Sequence, residues 1–324
     1  MSGRDGLSFA YLLDGKGGGR PLGWDEIHRW KPEDGLLWVH LERDKPGSQK
    51  WLRGLPGMSK LTCQALLAEE TRPRSAVTVD GVLAILRGVN LHPGSDPDDM
   101  VSIRTLVANE RIITLSKREV IAIRHIRETV EASGGPCSSA EFLAQLCVRL
   151  IDRMGPVLEE LNDEVDAMEE QILEAASHEL RYRLSNLRRT TINLRRYLAP
   201  QREVMAHLQA EPVAWIDEIH RAQLREAADT LMRYVEDLDS ARERAAVTHE
   251  ELVGRISDQM SKTMYVLSLI AGIFLPLGLL TGLLGINVGG IPGTESKHAF
   301  LIVCGLLITI AVVQAWVFRK MKWF

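Results

Sequence analysis

The chain has 324 residues, 45% hydrophobic and 25% charged, with a formal net charge of -4 and a mean hydropathy of -0.05. That composition excludes a disordered chain, a collagen and a disulfide scaffold, and taken as an average it describes an ordinary soluble protein. The average hides a sharp division. Beyond Lys262 the only charged residues are Glu295, Lys297, Arg319, Lys320 and Lys322, so residues 1–262 carry a net -7 and the remainder +3.

The start, Met1 to Asp14, has no apolar run leading to a cleavage site, which predicts no signal peptide. Residues 1–132 then alternate β-branched or aromatic runs with helical patterns, the mark of a small α/β domain. Leu7–Leu13, Leu36–Leu41, Val82–Leu91, Val101–Ala108, Arg111–Leu115 and Val120–Arg124 read as strands. Trp24–Trp30 and Met58–Glu70 read as helices, and Asn109-Glu110 as a two-residue hairpin turn. The Gly-Gly-Gly run at 17–19 is a turn and not a phosphate loop, because no Gly-Lys-Ser/Thr follows it.

Residues 133–212 read as a helical hairpin. Between Met154 and Ser177 there are eight acids and no base, and from Arg181 to Arg202 there are seven arginines. An acidic helix beside a basic one predicts an antiparallel pair held partly by charge. No aromatic platform accompanies the arginines, so no nucleic-acid partner is expected. The scattered Cys63, Cys137, Cys147 and Cys304 have no CxxC spacing and read as reduced thiols.

From Val213 to Leu275 there is no proline, and only Gly254 and Gly272 interrupt good helix formers. A helix from Trp215 to Leu284 would be roughly 105 Å long at ~1.5 Å per residue. No small domain can bury it, so residues 213–262 read as a stalk packed against neighbours, most simply copies of itself.

The charge-free stretch Met264–Leu284 would reach ~32 Å as a helix, against a hydrocarbon core of about 30 Å, and Ala299–Phe318 is similarly long. Residues 263–285 and 299–318 are thus two transmembrane helices, joined by a loop at 286–298 and followed by a basic tail at 319–324. Pro276 sits inside the first span, where a kink is tolerated. Arg255 and Lys262 precede the spans and Arg319, Lys320 and Lys322 follow them, whereas the loop has only Lys297. Both termini are therefore expected in the cytoplasm. Tyr265, Trp316 and Trp323 fall near that inner interface. The fold class is an α+β cytoplasmic domain with a long stalk helix and two C-terminal transmembrane helices.

Two spans per chain cannot enclose a water-filled path, so either several copies surround a pore or the spans merely anchor a scaffold or sensor. The loop bears on the choice. Gly285-Ile286-Asn287-Val288-Gly289-Gly290-Ile291-Pro292-Gly293 allows an exposed backbone, and Asn287 supplies a neutral oxygen for a hydrated cation. Gly285-Ile286-Asn287 resembles the Gly-Met-Asn signature of the CorA superfamily of divalent-cation transporters. Leu13-Asp14-Gly15, Glu70-Thr71-Arg72-Pro73-Arg74, Ala199-Pro200-Gln201-Arg202, Phe274-Leu275-Pro276 and Gly289-Gly290-Ile291-Pro292-Gly293 resemble the ZntB-type zinc transporters within it.

The resemblance covers essentially the whole chain and implies a CorA-like funnel in an inner membrane. It implies a homopentamer whose first span lines the pore. The transported ion would be Zn2+, taken up with protons, and no permanently bound cofactor is implied. Ile286 departs from the signature Met, and Gly293 stands where magnesium-type relatives carry Glu, which speaks against a dedicated magnesium channel. Helical spacing and the resemblance together mark Met264, Ser268, Ala271, Leu275 and Gly278 as pore-lining, with Met264 and Leu275 as apolar constrictions. Ordinary helix packing would use the same small residues.

Metal-capable groups near the path are His249, Glu251 and Asp258 on the stalk, and Glu295 and His298 in the loop. Glu251 and Asp258, seven apart, could each form a carboxylate ring that concentrates cations. His249, Glu251 and Asp258 are the titratable candidates for proton coupling. His249-Glu250 begins a metalloprotease motif, but Val253 stands where its second His belongs. No nucleophile–base pair is present either, so an enzyme is not expected.

Overall fold

The computed structural model describes residues 6–69, 72–90, 94–96, 98–174, 177–286 and 296–320. The chain divides into two compact units, Met1–Glu250 and Glu251–Phe324.

The first unit is built on a seven-stranded sheet. Its strands are β1 (Leu7–Leu13), β2 (Gly19–Pro21), β3 (Leu36–Glu42), β4 (Arg74–Thr78), β5 (Gly81–Gly88), β6 (Val101–Val107) and β7 (Arg111–Ser116), in the order β2-β1-β3-β7-β6-β5-β4. Only the β3–β7 pair is parallel. Both faces of the central strands are covered, which is why β3 reads as a continuous apolar run and not an alternation. One face carries Leu37, Val39, Leu41, Ile113 and Leu115 against Leu52 and Leu66, from α2 (Pro46–Gly54) and α3 (Lys60–Leu67). α1 (Trp24–Arg29) adds Ile27 to that cluster. On the other face Trp38 meets Phe142 edge-on at 5.0 Å. Phe142 belongs to α5 (Ser139–Asp152), which follows α4 (Ile121–Glu131).

The segment Val120–Arg124 is not a strand: Val120 caps α4 and the rest forms its first turn. Its β-branched run misleads over five residues. Over eleven, the buried Ala122, Ile123, Ile126 and Val130 recur at helical spacing. Two short strands, β2 and β4, and the helix α2 behind Pro46 carry too few apolar residues to stand out in the sequence. The glycine run forms a turn as expected. Asp14 Oδ1 accepts from the N–H groups of Lys16 at 2.7 Å and Gly18 at 2.9 Å, and Gly17 takes φ of +94°, which side chains rarely adopt.

Ser138 caps α5 by accepting from Glu141 N at 3.1 Å, and Ser177 caps α7 by accepting from Leu180 N at 3.2 Å, each worth about 1 kcal/mol. α6 (Gly155–Glu174) and α7 (His178–Ala210) are the acidic and basic helices. Charge links them less than expected: among the described residues their one ion pair is Arg183–Glu164 at 3.8 Å. Their firmer pairs reach α8 (Glu218–Gly285). Arg244 of α8 binds Asp166 and Glu169 of α6, and Asp239 of α8 meets Arg195 of α7 at 2.6 Å.

α7 also joins the sheet. Gln201, fully buried, accepts from Arg87 N at 2.6 Å and donates to Arg87 O at 3.0 Å. β4 pairs with β5 only from Arg74↔Ile85 to Thr78↔Gly81, so the Gln201 amide takes the place of a strand beside Arg87.

α8 is a single helix of 68 residues. Through the first unit its buried seam is Leu224, Leu231, Leu238 and Ala245, a strict seven-residue repeat.

Candidate ion path

The second unit begins inside α8 and contains α9 (Ala299–Lys320). Each helix contains an apolar window long enough to cross a membrane, with mean hydropathies of 2.2 and 2.5 and none of either window buried. Asn287, Glu295 and the glycines between residues 289 and 293 lie outside the described residues, as does Trp323. Gly285 ends α8, and Ile286 follows it exposed.

Met264, Ser268, Ala271, Leu275 and Gly278 are all exposed, with Met264 at 64% and Leu275 at 71%. The half-buried positions of this stretch are different ones: Leu269, Gly272, Ile273, Leu277 and Leu280. At ~100° per residue, the centres of these two sets lie roughly 150° apart around the helix.

The half-buried side is the one that meets α9. A Cβ at Gly272 would approach Phe318 to 3.1 Å, so the missing side chain is what admits the neighbouring ring. Gln314 of α9 donates its Nε2 to Gly272 O at 3.4 Å. The reason lies four residues on. Pro276 has no N–H, so the Gly272 carbonyl loses its helical partner. An amide from the next helix supplies the donor that proline removes.

The stalk acids are placed differently from the stripe. Glu251 binds Arg255 one turn on, with Oε1–NH2 at 2.8 Å. By the same angular count Glu251 and Asp258 fall ~130° away from the stripe, so they do not continue it as a straight row. Asp258 is exposed and His249 half-buried. His298 is exposed, its N–H 3.4 Å from Ser296 Oγ. Among the described residues no group of three or more His, Cys, Asp or Glu side chains is arranged to hold a metal ion. A cation meeting the described stripe therefore meets thioether, hydroxyl, methyl and backbone surfaces with no fixed charge. Such a surface suits a partly hydrated ion that passes and does not stay.

The Gln314 contact and the Gln201 strand substitute were both missed by sequence reasoning. The available signal was a lone amide in an apolar helix for Gln314, together with a proline in the helix before it.

The profile of a family described as CorA-like Mg2+ transporter protein matches residues 33–320. A Pseudomonas aeruginosa protein, divalent cation transporter CmaX, is 41% identical over 98% of this chain and 97% of its own length. The zinc transport protein ZntB of Pectobacterium carotovorum is 34% identical over 98% of this chain and 96% of its own. The solved structure of full-length CmaX superposes with a TM-score of 0.85 at 39% identity, covering 99% of both chains.

Proposed function

The chain belongs to the CorA-like family of divalent-cation transporters, and on that premise we propose that it carries Zn2+ across a bacterial inner membrane along a path enclosed by copies of itself. Transport of divalent cations, and not catalysis, is what the family membership assigns. Zinc, the pentameric assembly, cytoplasmic termini and proton-coupled uptake belong to the proposal.

The observation that carries the reading is the division of α8 into two faces. One is half-buried where α9 packs, and the opposite face is exposed, with Met264, Ser268, Ala271, Leu275 and Gly278 along it. Two helices per chain leave that face without a partner, and a ring of identical faces would both cover it and create a lumen. Asn287, two residues after Gly285, would then present an amide oxygen at the outer mouth. Zinc is supported by the ZntB relatives, proteins named for zinc transport at 32–34% identity, and by Gly293, which leaves the outer turn without the carboxylate common in magnesium-type members.

The test is flux. Purified protein in liposomes should move Zn2+ into a dye-loaded lumen, faster when the entry side is acidic, and Asn287→Ala should slow it by tenfold or more. Absence of Zn2+ movement with and without a pH gradient would overturn the zinc reading. The family description itself names Mg2+, which favours one alternative, a Mg2+/Co2+/Ni2+ channel of the same architecture. That reading predicts Mg2+ flux blocked by cobalt hexammine and indifferent to the pH gradient.

A further inference from the structure

The first unit holds a large cleft with an unusual lining. Its volume is about 1070 Å3, and of the sixteen residues around it eight are Arg or Lys and two are carboxylates. Some of that charge is answered locally. Asp44 takes Arg43 at 2.6 Å and Lys117 at 3.2 Å, and Asp99 takes Arg118.

Arg104 has no ion pair among the described residues, and the Asp44 charge offsets its burial only in part. It sits on β6, is 1% exposed, and donates only to two backbone carbonyls, Ala68 at 2.7 Å and Glu69 at 3.3 Å. Arg43, itself 8% exposed, reaches the same two oxygens at 3.1 and 2.9 Å. Two guanidinium groups thus share one pair of acceptors at the C-terminal end of α3. That end offers partial negative charge, and its one carboxylate, Glu69, is exposed and forms no ion pair among the described residues. Arg104 Nε is buried without an acceptor. So is the Oγ of Ser102, two residues along the same strand and so on the same face. Burial, followed by the neighbouring Arg43 and Arg87 charges, pushes the Arg104 pKa down to about 10, so it still holds its proton at neutral pH. A buried cation with no ion pair among the described residues is a costly feature, and such features gather where a ligand supplies the missing charge.

The rim points the same way. Arg53, Arg72 and Arg196 are exposed and form no ion pair among the described residues, while Arg87 lies over the Tyr197 ring at 4.6 Å. Planar guanidinium forks match the oxygens of phosphate groups. The volume suits a ligand well beyond a single phosphate.

We propose that this cleft is a binding site for a soluble polyphosphate ester of nucleotide size, with Arg104 at its floor and Arg53, Arg72 and Arg196 at its rim. The site is independent of the ion path. Because α3, β5, β6 and α7 all contribute to the lining, an occupant would tie the sheet to the helical hairpin.

Isothermal titration of the full-length protein in detergent, with ATP and no divalent metal, tests it. ATP should bind at micromolar concentration in low salt and weaken roughly tenfold or more on raising the salt severalfold, as screening requires. Inorganic pyrophosphate should compete and adenosine should not. The double variant Arg53→Gln/Arg196→Gln, which touches only the rim, should weaken ATP tenfold or more without moving the melting temperature. Arg104→Met should abolish binding. No binding of ATP up to millimolar concentration in the folded wild-type protein would overturn the proposal. So would competition by adenosine alone, or an affinity unchanged in the rim variant.

Discussion

One helix, α8, runs through two regions that differ in almost every physical respect. Up to Leu252 its apolar side chains repeat at sevens and are buried to 1% or less at Leu224, Leu231, Leu238, Ala245 and Leu252. Beyond Leu252 no residue of the helix is buried, although the sequence becomes more apolar. The first stretch folds by excluding water within its own chain. The second leaves Met264, Leu267, Phe274 and Leu275 each more than 60% exposed, a surface that only lipid or further copies can accommodate. Uniform helix propensity thus joins a segment stabilised from within to one stabilised by its surroundings.

Truncations in the two stretches should therefore separate. Leu231→Ala should cost about 2–5 kcal/mol, because it opens a cavity in a closed seam. The equivalent Leu267→Ala should barely alter the melting of the first unit followed by tryptophan fluorescence. Equal losses at the two positions would erase the distinction.

Acid probes the first region by another route. His40 is enclosed beside Thr114 and stacked on Phe9 at 4.9 Å, and burial, aided by Arg127, lowers its pKa to about 3. Because the folded value is below the unfolded one, the unfolded chain takes up the extra proton as pH falls below about 6.5. Stability is then complete above that pH and declines by ~1.4 kcal/mol per unit down towards pH 3. In His40→Asn that contribution to the slope should vanish.

Arg244 tests the charge link between α6 and α8. It binds both Asp166 and Glu169 but is 37% exposed, so Arg244→Met should cost only about 1 kcal/mol, and less in high salt. Smaller again is the Gln314 contact, where Gln314→Leu should cost about 0.5–1 kcal/mol by leaving Gly272 O without a donor. Pro276→Ala restores the N–H of residue 276, so in that background Gln314→Leu should be nearly neutral. A double-mutant cycle with no coupling would show that the amide and the proline act separately.

Much of this was legible in the sequence because it depends on local pattern. The long helix follows from the proline-free run from Val213 to Leu275, the two spans from missing charge, and most of the strands from β-branched runs. What escaped depends on contacts between distant segments. Gln201 completes a strand edge, and Gln314 completes a helix four residues before a proline in its neighbour. Arg104 is hidden within a sheet whose order no local pattern reveals. Val120–Arg124 was misread because five residues are too few to tell a period of two from one of 3.6. For the path, the spacing of Met264 to Gly278 was readable as a stripe, but its opposition to α9 required the packing at Gly272. Glu251 looked equally well placed until its Arg255 partner and its angle around the helix were known.

The central claim is that the exposed stripe of α8 faces the ions. In a background with Cys63, Cys137, Cys147 and Cys304 replaced, single cysteines at Ser268, Leu275 and Gly278 should react with a membrane-impermeant thiol reagent and lose Zn2+ flux in proteoliposomes. Cysteines at Leu269, Ile273 and Leu277 should be inert. Loss of flux on modifying the second set, with the first untouched, would contradict the account and put the path on the other side of the helix.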